Sequence, residues 1–509
     1  MAKRKRQAPS NGDSVPEPTT TSNKKQKPAE STKPTAAVPE SGEAIRIVAG
    51  SYDGTLHGLT ATISPKAGKG KKQQKQKTQQ QVEFTDTFLF QAHNKSIRCV
   101  AVSPPSAPGQ RIQTVLLASG SADSKVNLYS VSAHPPRDKP QDPLRNIAKR
   151  PIVEDPHNRP LVSLEHHESA VTAVKFPTRG KLMSAGEDSH IFVTRTRDWA
   201  TLGSIKAPVA KAVGRPSGDT AGHDGTPQGV NDFAVHPSMM LMMSVSKGER
   251  KVRPWNLTTG RRAKALHYEK ELMRQIGESR YSSGEGQKLV WGRVDGEDEF
   301  AVGFERDVVV FTTGGEPKCR VMMEAKTKIH CVTYFSLAEE GGNDDEEGEG
   351  AEEDALSLLA VSTEDGRIVF TSTKGKHITK IEDVKEGMAP GVARTVGYVG
   401  GRNAGVSGRI KEFALVRSAV DRDTVYVVGA GSDGMIRVWA VGVGELREAC
   451  EKPGIEEVGS LIGMCETENR VTCMTAFLMI PRPDGVDAEE DELEELEDES
   501  GGSEDSDDE

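Results

Sequence analysis

The sequence predicts an all-β fold, a seven-bladed β-propeller, from three observations. First, a hairpin unit recurs along the chain, with two apolar stretches joined by a tight turn, as in Val425–Val441. Second, apolar residues alternate with a period of two in these stretches, which indicates strands and excludes a helical solenoid. Third, the first unit lacks an inner strand, whereas the last stretch, Arg470–Pro481, lacks a hairpin. Each supplies what the other lacks, so we expect a ring closed by a shared blade.

The turns of the hairpins define the number of blades. Seven turns carry an acidic residue or a residue in its place: Asp53, Asp123, Asp188, Glu249, Arg306, Asp365 and Asp433. Neighbouring turn positions lie 57 to 70 residues apart. Since a four-stranded blade takes about 40–45 residues, we expect the blades to carry sizeable loops.

Composition divides the chain into three parts. Residues 1–42 are rich in Pro, Ser, Thr and Lys, and we expect a disordered basic tail. Residues 43–483 are expected to form the propeller, and residues 484–509 a disordered acidic tail. Five inserted loops are expected in the propeller, at residues 64–81 (rich in Lys and Gln), 132–160, 207–229, 339–355 (acidic) and 387–408.

The net charge of −10 hides a basic body. Asp487–Glu509 holds 15 acidic residues and Glu339–Asp354 holds 10, with no Lys or Arg in either segment. Without these 25 carboxylates, the remaining chain has a formal charge of +15. A basic body suits a protein that works near nucleic acid. The clusters Lys3–Arg6 and Asn23–Lys27 are typical of nuclear import signals, so a nuclear and nucleolar location and an import receptor as partner are expected.

Several classes of protein are disfavoured. The six cysteines form no Cys-x-x-Cys pair and no zinc-ligand spacing, so we expect reduced, buried thiols and no metal. No apolar run approaches ~18 residues, so we expect no membrane span. We expect no cofactor and no small-molecule substrate either.

Two groups of cations are candidate contacts with a partner or RNA. The first lies in the Lys/Gln-rich insertion and comprises Lys69, Lys71, Lys72, Lys75 and Lys77. The second lies in the fourth hairpin and the strand after it and comprises Arg250, Lys251, Arg253, Arg261 and Arg262. Alternation puts Lys251 and Arg253 on one face of their strand, so we expect at least one cationic row to reach solvent. The alternative for both groups is ordinary solvated surface charge.

Polar residues recur at fixed places in the hairpins. The sets are His93, Ser119, Asp123 and Tyr129 in the second unit, His167, Ser184 and Asp188 in the third, and Asp365, Asp433 and Trp439 in the last two. In isolation, Ser, His and Asp would suggest a hydrolase triad. Because the set recurs from unit to unit without a nucleophile elbow, we interpret it as a structural hydrogen-bonded network, not an active site.

The repeated unit resembles the WD-repeat family, and the fourth unit carries a more specific resemblance. Val230–Ser238 and Ser244–Ala263, above all the segment Trp255–Arg261, are similar to one blade of the p21-activated-kinase-interacting protein family, whose fungal members are the maintenance-of-killer WD-repeat proteins. This chain departs from the usual form at Pro254. A proline in a central strand removes a ladder donor, so we expect this strand to bulge or expose its edge.

The resemblance implies a non-enzymatic assembly factor for the large ribosomal subunit, acting in the nucleolus. The implied partners are proteins of pre-ribosomal particles and pre-rRNA, with the protein a monomer inside a large complex. Two alternatives remain: a signalling scaffold that binds and inhibits a p21-activated-type kinase, and a substrate adaptor of a ubiquitin ligase.

Overall fold

The computed structural model describes residues 42–482, except residues 65–81, 109, 111, 137–149, 210–227, 279–281, 322–325, 338–355, 383 and 453. Seven sheets, built mainly from antiparallel strands, follow one another around a ring. The predicted fold class is therefore confirmed. The predicted disordered tails and the acidic insertion lie outside the described residues.

Strands in the first half of the chain form blades 1 to 4. Blade 1 contains β1 (Glu43–Ser51), β2 (Thr55–Ile63) and β3 (Val82–Gln91). Blade 2 contains β4 (Ile97–Val102), β5 (Thr114–Ser121), β6 (Val126–Ser132) and β7 (Arg159–Leu164). Blade 3 contains β8 (Val171–Thr178), β9 (Lys181–Gly186), β10 (His190–Arg195) and β11 (Thr201–Lys206). Blade 4 contains β12 (Val230–Val235), β13 (Leu241–Ser246), β14 (Lys251–Asn256), β15 (Arg261–Arg262) and β16 (Leu266–His267), followed by helix α1 (Lys270–Gln275).

The second half supplies the other three blades. Blade 5 contains β17 (Lys288–Val294), β18 (Glu297–Gly303), β19 (Val308–Thr312) and β20 (Pro317–Val321). Blade 6 contains β21 (Ile329–Leu337), β22 (Leu356–Thr363) and β23 (Arg367–Ser372). The next two strands, β24 (Thr379–Lys380) and β25 (Gly391–Val392), extend the sheet of blade 5. The strand β26 (Arg394–Gly400) then completes blade 6. Blade 7 contains β27 (Ile410–Arg417), β28 (Thr424–Gly431) and β29 (Met435–Gly442), followed by helix α2 (Val443–Glu451). The short strand β30 (Glu456–Glu457) pairs with the edge of blade 6, and β31 (Ser460–Glu466) completes blade 7. The last strand, β32 (Val471–Leu478), returns to blade 1.

The ring closes through β32, which pairs with β1 as its inner neighbour. Ile45 lies opposite Leu478 and Val48 opposite Thr475 in this antiparallel ladder. The closure predicted from the unpaired first and last segments is therefore confirmed. Closure removes the two free sheet edges that an open array would expose.

The apolar core lies between the blades. Among the described residues there are seven clusters of buried apolar side chains, each shared by two neighbouring blades. The cluster that joins blade 7 to blade 1, for example, contains Val428 and Ile436 from one side and Ile45 and Ile47 from the other. A single blade cannot bury both of its faces, so every blade depends on two neighbours.

Pro254 lies in the middle of β14 and interrupts the outer strand instead of the inner ladder. The register between β13 and β14 is regular, with Met243 opposite Pro254. On the other side, β15 pairs with Trp255 and Asn256, and β16 pairs with Lys251 and Val252. The outer strand is split there because Pro254 has no N–H to donate. Of the two expected outcomes, the structure shows an interrupted edge and no bulge.

Residues 387–408 were expected to be an inserted loop, and this prediction is wrong. They contain β26, the outer strand of blade 6, which pairs with β23. Gly397 and Gly400 interrupt its apolar pattern, and glycine in a strand obscures the alternation on which the prediction depends.

All six cysteines are free; five are buried and Cys99 is half-buried. Burial raises the pKa of the Cys99 thiol to about 12. Within the described ranges, no helix is long and apolar enough to cross a bilayer.

Removing β32 should abolish cooperative unfolding. A chain that ends at Glu468 loses the inner strand of blade 1 and opens two edges, so we expect aggregation or a broad melting transition at lower temperature. A chain that ends at Arg482 keeps every described strand and serves as the control, which should melt like the full chain. Thermal melting with light scattering distinguishes these outcomes, and a monomeric, cooperative Glu468 chain would contradict the role of β32.

Candidate functional site

One face of the ring, which we call the entrance face, carries the first residues of the inner strands and the turns of the seven hairpins. Backbone hydrogen bonds join these two kinds of segment. The amide of Tyr52 donates to the carbonyl of Arg470 at 2.9 Å, and the amide of Glu364 donates to the carbonyl of Lys328 at 2.9 Å. The inner strands line the central channel, so the entrance face surrounds one mouth of it.

In blades 2 and 3 the structure brings the predicted polar sets together. His93 contacts Ser119 through Nε2 (2.8 Å) and Asp123 through Nδ1 (3.0 Å). The buried ring of Tyr129 packs against Phe90, with ring centroids 5.4 Å apart. His167 makes the equivalent contacts with Ser184 and Asp188, both at 2.9 Å. Burial alone would raise the pKa of Asp188, but hydrogen bonds from His167 and from the amide of His190 hold that pKa below its usual value.

These Ser-His-Asp sets have the hydrogen-bond order of a hydrolase triad, but they are sealed inside the blades. Ser119 is 0% exposed and Ser184 is 4% exposed. A nucleophile must reach the substrate carbonyl, and neither hydroxyl can do so. The networks satisfy buried polar groups and fix the hairpins to the preceding loops.

In blades 4 and 7, an arginine four residues further along the chain takes the place of the histidine. Arg253 donates to Glu249 at 2.7 Å, and Arg437 donates to Asp433 at 2.9 Å. Sequence reasoning missed this variant, although the pattern of an acid, three residues and an arginine would have found it. Trp439, expected to belong to the network, packs in the apolar cluster between blades 6 and 7.

Blades 5 and 6 use other cations. In blade 5 the buried acid is Asp307, which pairs with Arg320 at 2.7 Å, and Arg306 is exposed. Placing Arg306 at the acidic position was therefore wrong by one residue. In blade 6, Asp365 accepts a hydrogen bond from Thr363 and lies 3.4 Å from Arg367.

The cationic group predicted in the fourth hairpin divides into engaged and exposed residues. Arg253 is buried, and both Arg253 and Lys251 pair with Glu249, at 2.5 and 3.2 Å. Arg250 donates to the carbonyls of Ser282 and Ser283. Arg253 therefore does not reach solvent and Lys251 reaches it only in part, because both side chains pair with the turn acid Glu249. Arg261 and Arg262 are exposed on the split outer strand.

The other predicted group of cations, Lys69 to Lys77, lies outside the described residues.

The channel contributes charges that the sequence analysis did not single out. Asp232 lies 2.8 Å from Lys175 and accepts a hydrogen bond from the amide of Leu289, and Glu412 accepts one from the amide of Met474. Their position becomes visible only once the inner strands are aligned around the channel.

Cations concentrate where the channel opens at the entrance face. His330 and Lys411 occupy the irregular second position of their inner strands. Burial lowers the pKa of His330 to about 4, and nearby cations act in the same direction, namely Lys411, Arg409, Lys288 and Lys328. Burial also lowers the pKa of Lys411, with further contributions from Arg409 and Arg470.

Comparison with known proteins agrees with this architecture. Residues 84–130 and 158–194 match the family described as "WD domain, G-beta repeat". These residues cover the sequence from β3 to β6 and from β7 to β10. The fold and the match together define the class: this chain is a seven-bladed β-propeller that contains WD repeats at residues 84–130 and 158–194.

Within this class, two relatives align with most of the chain. Protein MAK11 of Saccharomyces cerevisiae is 25% identical over 418 residues, which cover 77% of each chain. The p21-activated protein kinase-interacting protein 1-like of Danio rerio is 21% identical over 438 residues, covering 86% of this chain and 82% of the relative. These similarities confirm the resemblance drawn from the fourth hairpin.

Neighbouring histidines in blade 3 offer a test of the buried networks. Changing His167 to Ala leaves Ser184 and Asp188 buried without their partner, so we expect a loss of roughly 1–3 kcal/mol in unfolding free energy. Changing the half-exposed His166 to Ala should cost much less. Chemical denaturation of both variants checks the prediction, and equal losses would contradict the structural role of His167.

The environment of His330 predicts a dependence of stability on pH. Its pKa is lower in the folded protein, about 4, than the ordinary value of 6.5. The unfolded chain therefore takes up a proton first as the pH falls from about 6.5 to about 4, and folding stability decreases over that range. The wild type should lose more thermal stability between pH 7 and pH 4.5 than His330→Gln. Thermal melting of both proteins at pH 7 and pH 4.5 checks this prediction, and an equal loss of stability in the two proteins would contradict it.

Proposed function

We propose that this protein is a non-enzymatic docking platform in the assembly of the large ribosomal subunit. The observation that carries the proposal is the similarity to Protein MAK11 over 77% of both chains. In support, the Ser-His-Asp sets that could suggest catalysis are enclosed in the blades. The function is then binding, through surfaces that the ring holds in fixed positions.

The charge distribution supports this proposal. Outside two acidic segments the chain has a formal charge of +15, which favours association with particles rich in RNA phosphate. The basic clusters Lys3–Arg6 and Asn23–Lys27 are typical of nuclear import signals, so we propose a nuclear and nucleolar location. Both clusters lie outside the described residues, so the proposed location depends on the sequence alone.

Arg261 and Arg262 are the cations of the fourth hairpin that remain exposed to a partner. We propose that this short outer strand contacts the pre-ribosomal particle. Its exposed edge follows from the break opposite Pro254. The other three cations of this hairpin are engaged within the protein: Lys251 and Arg253 pair with Glu249, and Arg250 donates to the carbonyls of Ser282 and Ser283.

Sedimentation of a tagged protein tests the function and the contact separately. The wild type should co-sediment with nuclear precursors of the large subunit, and changing Arg261 and Arg262 to Glu should reduce that fraction at least about tenfold, as expected when two charge contacts become repulsive. Changing the exposed Lys181 and Arg197 to Glu provides a matched control with the same charge difference.

The two possible failures are distinguishable. If the Arg261→Glu, Arg262→Glu variant keeps its fold and its association, the contact is elsewhere. If the wild type never enters large-subunit precursors, the function itself is wrong.

A second candidate function follows from the name of the fish relative. That protein is described as interacting with p21-activated protein kinase. A kinase-binding scaffold would bind the kinase when purified and would not depend on ribosomal particles. Pull-down of a p21-activated kinase by this protein in the absence of RNA would favour it.

A further inference from the structure

The mouth of the channel on the entrance face carries cations that are incompletely neutralised. No carboxylate of the described residues lies within 4.0 Å of Lys411 or Arg470, whereas Arg409 lies 3.5 Å from Glu364. Lys328 pairs with Glu305 at 2.7 Å, but both side chains are about half exposed. The Nε2 atom of His330 is buried and has no hydrogen-bond partner in the described part of the chain. Mutual repulsion here leaves a site that an anion would stabilise.

The cations adjoin one another across three blades. Arg470 directly precedes β32 in blade 1, Lys411 is the second residue of β27 in blade 7, and His330 is the second residue of β21 in blade 6, so they lie at the same end of neighbouring inner strands. The positive charges of Arg470 and Arg409 both lower the pKa of Lys411. The charges of Lys411, Arg409 and Lys328 in turn reach His330 in blade 6. The positive surface therefore continues from blade 1 through blade 7 to blade 6.

Aromatic rings stand at both ends of this surface. Tyr52 is 57% exposed, and the guanidinium of Arg470 lies over its ring at 5.4 Å. At the other end, Arg367 lies over the ring of Tyr398 at 4.6 Å, in a cavity of about 370 Å³ that Thr327 and Arg402 also line. The exposed ring of Tyr52 therefore lies on a turn directly beside a cation of this surface.

We propose that this surface binds single-stranded RNA, with phosphates on Lys411, Arg409, Lys328 and Arg470 and a base stacked on Tyr52. Cations that follow a backbone and aromatic rings on which bases stack are the two elements by which proteins hold single strands. An acidic polypeptide would use the cations but would leave Tyr52 without a role. The inference deepens the proposed function, because it assigns RNA to a particular face of the ring.

The arrangement of the strands favours access to this face. Residues flanking the acidic insertion, Leu337 and Leu356, pair at the end of their strands remote from Ile329 and Thr363, which lie at the entrance face. The last strand likewise runs from the entrance face at Val471 to the opposite face at Leu478. The chain's two acidic segments are thus attached to the ring on the side away from the cations.

Fluorescence anisotropy with a labelled single-stranded oligouridylate and the full chain tests the proposal. Changing Lys411 and Arg470 to Gln should weaken binding roughly tenfold near 100 mM salt and reduce the salt slope by about 1.4, because each phosphate contact to a single strand contributes about 0.7. The Lys181→Gln, Arg197→Gln variant removes the same charge elsewhere and should bind like the wild type.

Tyr52 distinguishes RNA from other polyanions. Tyr52→Ala should weaken binding of the oligouridylate about tenfold, and Tyr52→Phe should restore it, because stacking requires only the ring. Polyglutamate at the same charge concentration should not displace the RNA. Melting curves confirm that each variant is folded.

Two results would overturn the inference. Unchanged affinity in the Lys411→Gln, Arg470→Gln variant would remove the phosphate contacts from this face. Full displacement by polyglutamate, with no effect of Tyr52→Ala, would identify an acidic polypeptide as the ligand instead of RNA. Both measurements use purified protein and RNA, so they can fail while co-sedimentation with large-subunit precursors succeeds, and the reverse.

Discussion

The ladder between β1 and β32 is the constraint on which the other blades depend. It joins Ile45 to Leu478 and so brings the two ends of the described chain into one sheet. Each of the seven apolar clusters is shared by two blades, and the clusters on either side of blade 1 need this sheet to be complete. Bringing the ends of so long a segment together costs conformational entropy, and this cost is offset only when all the interfaces between blades form together. Stability is therefore a property of the ring, and no blade is independent of it.

The sequence predicts the strands and turns that repeat from blade to blade, but not how the structure accommodates residues that break the repeat. Seven turns and a missing inner strand were enough for the ring, because period-two alternation reports the strand directly. The sequence identifies Pro254 as an exception in its strand. Only the strand pairing in the structure shows that the outer strand is interrupted opposite Pro254, whereas the ladder between β13 and β14 stays regular. The sequence predicts a loop at the outer strand of blade 6 because Gly397 and Gly400 break the apolar pattern of that strand.

Charged side chains were harder to place than strands. The partner of a buried turn acid comes from a different place in each blade: from the preceding loop in His93, from the same hairpin in Arg253 and from the outer strand in Arg320. Alternation identified which face of the strand Arg253 occupies, but not that Glu249 would neutralise it there. The cations at the channel mouth come from Lys328, Lys411 and Arg470, far apart in the sequence, and no local pattern could bring them together.

The same closure explains why the channel mouth remains cationic. Acids do lie nearby, but they are committed to joining blades: Asp232 accepts the amide of Leu289 from blade 5, and Glu412 accepts the amide of Met474 from blade 1. Burial raises the pKa of Glu412, and the positive charge of Lys288, the first residue of β17, acts against that shift. These carboxylates cannot turn outward to neutralise Lys411 without breaking contacts between blades. The positive charge at the mouth is thus a consequence of how the inner strands are held together.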